Sequence, residues 1–344
     1  MTTAQATEAK QSKGKVTWYR VPVDRHVFKK LNERSDKQGA IAVGGHLGLI
    51  ILTGIAAWYA WGRLPWWSLL IILFLHGTFY SFLFNGSHEL SHNTVFKTRW
   101  LNKLFMRIFS FMVWRSYIFF ETSHAEHHKY TLHPPDDLEV VLPVPLTLRG
   151  FLRGSIVDPW TGFLTIKATI RLALGRLEGE WEHMLFPPEA VEKRRMLFNW
   201  ARFLLVGHGA IVAVSVIFGW WLLPILITFA PFYGGLLRYL CNNTQHAGLQ
   251  DNVPDFRLCC RTFIVHPFIS FLYWNMNYHT EHHMYAAVPC YNLKKMHEAI
   301  KHEMPECTVG LYATWKEIIA ILRAQKTDPT YQYAPDLPGT ATAQ

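Results

Sequence analysis

Three short stretches concentrate histidine, the side chain best suited to bind transition metals at neutral pH. They are His88-Glu89-Leu90-Ser91-His92, His124-Ala125-Glu126-His127-His128 and His279-Thr280-Glu281-His282-His283. On a helix, residues three or four apart share a face, so the HxxxH and HxxHH spacings point their imidazoles one way. Eight histidines arranged like this exceed what one tetrahedral zinc can use. Neutral imidazole also suits iron, copper and nickel, so the spacing gives a metal cluster without its identity. A single histidine of this kind is usually a satisfied core or surface residue. Three boxes are not explained that way.

Each box follows an apolar segment, and those segments must position it. The chain has 344 residues, 50% hydrophobic and only 17% charged. Residues 40–61 form a run that matches the hydrocarbon thickness a helix must cross. Gly62-Arg63-Leu64-Pro65 breaks the run, and residues 66–86 form a second span with Trp66 and Trp67 at its interfacial end. Residues 201–219 and 220–240 make a second apolar pair. Residues 104–120 are apolar apart from Arg107 and Arg115, which predicts a helix partly in the interface with both arginines reaching water. Residues 263–274 are too short to span and are expected against the membrane or the core.

The formal charge is +9, with nine Lys or Arg in the first 38 residues and many more in a polar insertion over 138–199. The loops at 62–65 and 219–224 carry one cation between them, Arg63. Excess Lys and Arg stays in the cytoplasm, so two hairpins are expected to enter from and return to that side. All three boxes then face the cytoplasm near the membrane. The charge is better explained by a lipid surface than by nucleic acid, for which no binding module is present. Five cysteines form no CxxC pair or framework, which suggests a reducing compartment, and the N-terminus lacks the apolar core of a signal peptide.

The expected fold is an all-α integral membrane protein: four transmembrane helices in two hairpins plus a cytoplasmic helical cap holding the histidines. Residues 1–39 read as an N-terminal cytoplasmic segment, disordered over 1–17. Residues 40–326 read as the functional domain and 327–344 as a flexible tail. Near the C-terminus, Asn292 is expected to cap a helix running to about residue 302. Thr314 to Glu317 matches a capping box opening a last helix to about residue 325.

Residues 40–305 resemble the membrane fatty-acid desaturase and hydroxylase superfamily, through the box order HxxxH, HxxHH, HxxHH and the hairpins before and between the boxes. The resemblance implies two non-heme irons, O2 as co-substrate and attack on an unactivated C–H bond of a lipid or other hydrophobic substrate. Its implied ligands are His88, His92, His124, His127, His128, His279, His282 and His283. Asn242-Asn243-Thr244-Gln245-His246 resembles the additional ligand element of stearoyl-type desaturases, which implies His246 as a ninth ligand and Asn242 as a ligand through water. Asn242 reads equally well as a helix C-terminal cap.

Neutral ligands leave the metals strongly positive, so nearby carboxylates are expected. Glu89, Glu126 and Glu281 inside the boxes, with Asp136 and Asp137 just beyond the second, are the candidates for orienting imidazole N–H groups. Glu89 and Glu126 also fit solvent-facing helix positions. His133 and His297 fall outside the pattern and read as structural. The chemistry needs two electrons per O2, and the chain has no heme-binding HPGG segment, flavin fingerprint or cysteine cluster. A separate donor is implied, a ferredoxin or a cytochrome, and the basic face suits an acidic one.

Residues 273–279 and 288–293 are also similar to bacterial desaturase-like oxygenases linked to rhizopine catabolism. That likeness implies hydroxylation, decarboxylation or demethylation of a small polar methylated compound with a ferredoxin partner. A zinc-containing membrane receptor or metal transporter is the alternative of another class. A transporter places its ligands within the spans, and a single zinc site leaves most of these histidines idle. Chain length, head group and position of attack are not readable from the residues.

Overall fold

The computed structural model describes residues 14–338, so residues 1–13 of the segment expected to be disordered over 1–17, and the end of the tail at 339–344, fall outside the described residues. Nearly all of the regular structure is helical, as the apolar patterning predicts. A short helix α1 (Arg25–Leu31) leads into α2 (Asp36–Ala60), which opens on Ser35, whose side chain accepts from the Gln38 amide. At 1.5 Å per residue, a helix of this length exceeds the roughly 30 Å of a bilayer core. After the Gly62 turn come α3 (Trp66–Ser81) and α4 (Leu83–Ser91), joined at Phe82 and running as one apolar helix through the first box. The third long apolar helix is α10 (Val191–Phe218), closed by Gly219 in the left-handed region. Among the described residues, these three helices are long and apolar enough to cross a membrane. They expose Ile51, Leu52, Ile55, Leu70, Ile71, Val206 and Ile217, apolar side chains that water does not favour.

The stretch expected as a fourth continuous helix, 220–240, is broken. It folds as α11 (Leu222–Leu226), a 3-10 turn (Ala230–Phe232) and α12 (Leu236–Asn242). Pro224 and Pro231 remove donors, and Gly234 sits at φ 67° where a Cβ would lie 2.4 Å from the Phe74 carbonyl oxygen. The segment still runs beside α3 and α4, in the same direction. The Leu226 carbonyl accepts from His76, Tyr80 donates to the Ile227 carbonyl, Thr78 donates to Gly234, and Asn85 reaches Asn242. At the other end, Trp58, Trp61 and Arg63 share a cavity wall with Gly219, Trp220 and Trp221, so the two apolar turns lie side by side.

The region between the first two boxes also departs from expectation. It forms α5 (Arg99–Met112) and α6 (Tyr117–Tyr130), separated by a turn with Trp114 at φ 56°. Arg107 is exposed as expected. Arg115 is turned inward by that turn and donates to the Phe84 carbonyl (3.0 Å) and Ser87 Oγ (3.1 Å).

The insertion is helical: α7 (Leu148–Ser155), α8 (Pro159–Ala173) and α9 (Gly179–Leu185). Leu148, Leu152, Ile156, Trp160 and Leu164 recur every four residues and all are exposed, an apolar stripe beside Arg149, Arg153 and Lys167. The remaining elements, α13 (Phe256–Cys259), α14 (Pro267–Leu272), α15 (His279–Met284), α16 (Leu293–Ile300) and α17 (Leu311–Thr327), pack under the boxes. A two-residue parallel pair, Phe263 with Thr308 and Ile264 with Val309, ties the third-box region to the start of α17.

Two predicted caps differ. The Asn292 amide donates to the Leu31 carbonyl and caps nothing, while α17 starts after Gly310, with Thr314 and Glu317 inside it. The tail is tied down through Gln332 to Asp251 and the Tyr333 amide to the Gly248 carbonyl.

Candidate metal centre

Three helices and one turn bring the histidines together. Helix α4 carries the first box, which ends with His92 at the helix cap, α6 the second and α15 the third. Gly86 allows α4 to approach Phe109 and Trp274, since a Cβ there would lie 2.6 Å from the Phe109 ring. Before the third box, Trp274 and Asn275 both adopt left-handed backbone, and the Trp274 indole donates to His46 on α2. His246 arrives differently from the helical extension that its spacing from Asn242 suggests. Helix α12 ends at Asn242, and His246 sits in the following turn, its Nδ1 donating to the Cys259 carbonyl at 2.7 Å.

The ring nitrogens fall into two groups, each within 4.8 Å of one another. The first joins His88, His92, His124, His128 and His282, and the second joins His246, His279 and His283 with the Cys260 thiol. His127 lies between the helices at the edge of the second group, its ring 4.9 Å from that of His283 and 5.3 Å from that of His246. Neighbours in the third box therefore serve different groups: His282 turns to the first and His283 to the second. Cys260, which sequence reasoning did not single out, is a buried thiol whose proton is held more firmly because of burial.

Carboxylates fix several rings. Glu89 accepts from His88 Nδ1 at 2.9 Å and lies 3.5 Å from His282 Nδ1. Asp137 accepts from His127 Nδ1 at 2.7 Å and from the Leu132 amide. Burial opposes a proton on His127, and Asp137 outweighs it, so the ring binds a proton more readily than usual. Glu281, fully buried, pairs with His297 (2.6 Å) and Thr262 instead of a box histidine, so His297 belongs to the support of the third box. Glu126 lines a separate cavity with Trp181 and Lys193, and Asp136 occupies the surface turn before Asp137. Two partners escaped sequence reasoning. Glu139 accepts from His124 Nδ1 at 2.9 Å, and Thr131 lies 3.1 Å from His283 Nδ1. Glu139 follows Asp137 by two residues, and that Asp-x-Glu pair was the available signal.

These contacts decide which nitrogen of each ring is free. With Nδ1 donating to Glu139 or Cys259, the Nε2 atoms of His124 and His246 carry lone pairs. Yet His128 Nε2 lies 2.9 Å from His124 Nε2 and 3.1 Å from His282 Nε2, and His279 Nε2 lies 3.0 Å from His246 Nε2. His128 has one proton to offer two such neighbours if it is protonated there. Buried nitrogens of His92, His128, His279, His282 and His283 have no hydrogen-bond partner. Crowded lone pairs and unpartnered buried nitrogens fit two cations, one per group. Burial and neighbouring imidazoles keep His124, His128, His279, His282 and His283 well below the ordinary histidine range, and burial pushes His246 down to about 3. The rings are thus neutral and able to ligate at physiological pH. Glu139→Ala is expected to lower metal affinity about 10- to 100-fold by freeing the His124 ring, measured by metal titration of the stripped protein.

Comparisons with known proteins place the chain in a family. The fatty acid desaturase family model matches residues 64–315, from the second apolar helix through the third box and into α17. An sn-1 oleoyl-lipid 12-desaturase of Picosynechococcus sp. is 24% identical over 298 residues, covering 75% of this chain and 76% of that one. A desaturase of the same description from Synechocystis sp. is 25% identical over 284 residues, covering 76% and 73%. A sphingolipid delta(4)-desaturase DES1-like protein of Oryza sativa is 24% identical over 262 residues, covering 74% and 70%. The family match spans well over half of the sequence and contains every box, and the chain belongs to the fatty acid desaturase family as a desaturase-like oxidoreductase.

Proposed function

We propose that this chain is an O2-dependent membrane oxidoreductase that uses two non-heme irons to attack an unactivated C–H bond of a fatty-acyl or related lipid substrate. The observation that carries the reading is the division of the histidine nitrogens into two adjacent groups. Iron bound there supplies the activation of O2. His88, His92, His124, His128 and His282 hold one iron. His127, His246, His279 and His283 would hold the other, with Asn242 as its ligand through water. Glu89, Asp137 and Glu139 keep the protons on the outward ring nitrogens and lower the net charge of the centre. The electrons come from a separate ferredoxin or cytochrome.

The chain enters the membrane in two hairpins and crosses it four times, the last crossing made by the broken segment 220–242. Its termini and histidines lie on the cytoplasmic side. Support comes from the side-by-side apolar turns and the course of 220–242 along α3. The exposed stripe on α7 and α8 rests in the membrane interface with its cations toward lipid head groups.

Metal analysis of membrane-purified protein tests the centre: about two irons per chain are expected, and one zinc with negligible iron would overturn it. Reporter fusions at positions 64, 222 and 344 test the topology, with a lumenal or periplasmic signal expected only at the first two.

A further inference from the structure

A cavity of about 380 Å³ lies beside the second box, between α6, α8 and α10. Trp114, Phe119, Ala168, Leu172 and Leu204 give it apolar walls, the last of these from a long apolar helix. Phe120 and Glu139 form the wall nearest the histidines. Phe120 stacks on His124 with ring centres 4.9 Å apart, and Glu139 holds His124 Nδ1. Most polar groups in the lining are already paired. Arg171 is bound in a two-pronged contact to Glu182, and Glu139 accepts from Ser123 as well as from His124.

Arg115 is the exception. Its guanidinium lies over the Phe120 ring at 3.9 Å and over Phe84 at 5.0 Å. One nitrogen, Nη1, is used by the Phe84 carbonyl and Ser87. Among the described residues it forms no ion pair with a carboxylate, and it lines the cavity. Burial pushes it down to about 10, so it stays charged at neutral pH. Glu139, in the same lining, favours the charge on Arg115 through space without a salt-bridge contact, and the remaining donors of such a cation are costly to leave unmet.

We propose that this cavity binds the anionic head group of the substrate, a carboxylate or a phosphate, through the free donors of Arg115, with the apolar part of the molecule against α8 and α10. This rests on reading the histidine groups as the catalytic centre. It narrows the substrate to an anionic amphiphile. Because only Phe120 separates the guanidinium from His124, the carbon attacked is close to the head group and not in the middle of a long chain. A planar guanidinium can meet either anion with two parallel hydrogen bonds, which a neutral head group cannot match.

The test is photolabelling of the full-length protein in phosphatidylcholine nanodiscs, stripped of metal and kept without an electron donor. The probe is dodecanoate bearing a diazirine near its carboxylate, with labelled residues mapped by mass spectrometry. Label is expected on α6 and α8 around the cavity. Unlabelled dodecanoate or dodecyl phosphate should suppress it at concentrations at least about tenfold below those needed with dodecanol. The more effective of the two identifies the head group.

In Arg115→Gln the advantage over dodecanol should vanish, and in Arg115→Lys part of it should remain. Ala168→Phe fills the cavity without touching Arg115 and should abolish the cavity label, which keeps the test decisive if Arg115→Gln fails to fold. Dodecanol competing as well as dodecanoate and dodecyl phosphate in the unmodified protein, or label unaffected by Ala168→Phe, would overturn the proposal. Neither readout needs iron or turnover, so a failure of the two-iron reading is seen separately in metal analysis.

Discussion

Replacing His282 or His283 by alanine is expected to lower bound iron from about two to about one per chain, with a different iron lost in each case. These adjacent side chains point into different groups: His282 Nε2 lies 3.1 Å from His128 Nε2, whereas the His283 ring stacks 4.3 Å from that of His128 but shares its group with His246 and His279. Turnover should fall by more than about a hundredfold in both variants, because loss of a ligand costs more than loss of the groups that merely orient one. Metal analysis and product formation with a reconstituted donor check this, and the spectroscopic signature of the remaining iron should differ between the two. His297→Ala provides the contrast. It leaves Glu281 buried without its histidine, so it should weaken the packing of α15 before it touches either iron. An alanine variant of His282 that retained both irons would remove that residue from the centre.

The boxes were legible because helical spacing is a local property. HxxxH and HxxHH need only a turn of helix to align them, and α4, α6 and α15 supply it. Charge and hydropathy likewise exposed the three long apolar helices. The fourth apolar stretch misled because its composition is that of a span, while its two prolines and Gly234 act on the backbone and not on hydropathy. Arg115 misled for a related reason. Nothing in its neighbourhood signals the left-handed Trp114, and that one residue decides whether the guanidinium meets water or the Phe84 carbonyl.

Carboxylates near the boxes were harder still. Proximity in sequence favoured Glu126 and Asp136, but α6 turns Glu126 toward another cavity, and the chain reversal after it brings Asp137 and Glu139 back onto His127 and His124. The partners of a ligand are set by how the following loop folds over the helix, which no local periodicity records.

His246→Ala is expected to remove the iron of the second group and leave most of the first. His246 was implied by the likeness of Asn242-x-x-x-His246 to an additional ligand element, and a spacing of four shares a face only if one helix continues through both. The helix ends first, so the ring owes its position to the turn at 243–248, to Gly248 at φ 73° and to the Cys259 carbonyl. That carbonyl fixes the proton on Nδ1 and leaves Nε2 facing His279 Nε2 at 3.0 Å, a contact that a shared cation relieves. If His246 served only to anchor the turn, its loss would lower the thermal stability of the protein while the surviving molecules kept both irons. If it is a ligand, iron per folded chain falls to about one, whatever happens to yield.

Asn242→Ala should be milder, since a water can take the place of a water-mediated contact. Its Oδ1 accepts from Asn85 at 3.2 Å, and Asn85 Oδ1 is itself buried without a partner, so the Asn85→Ala variant tests whether this amide pair orders the water. Metal analysis on gel-filtered protein, alongside the melting temperature, separates the two roles of His246. Full iron occupancy with normal turnover in His246→Ala would reduce the second group to His127, His279 and His283, and would make the Cys260 thiol, 4.8 Å or less from two of those rings, the next residue to replace.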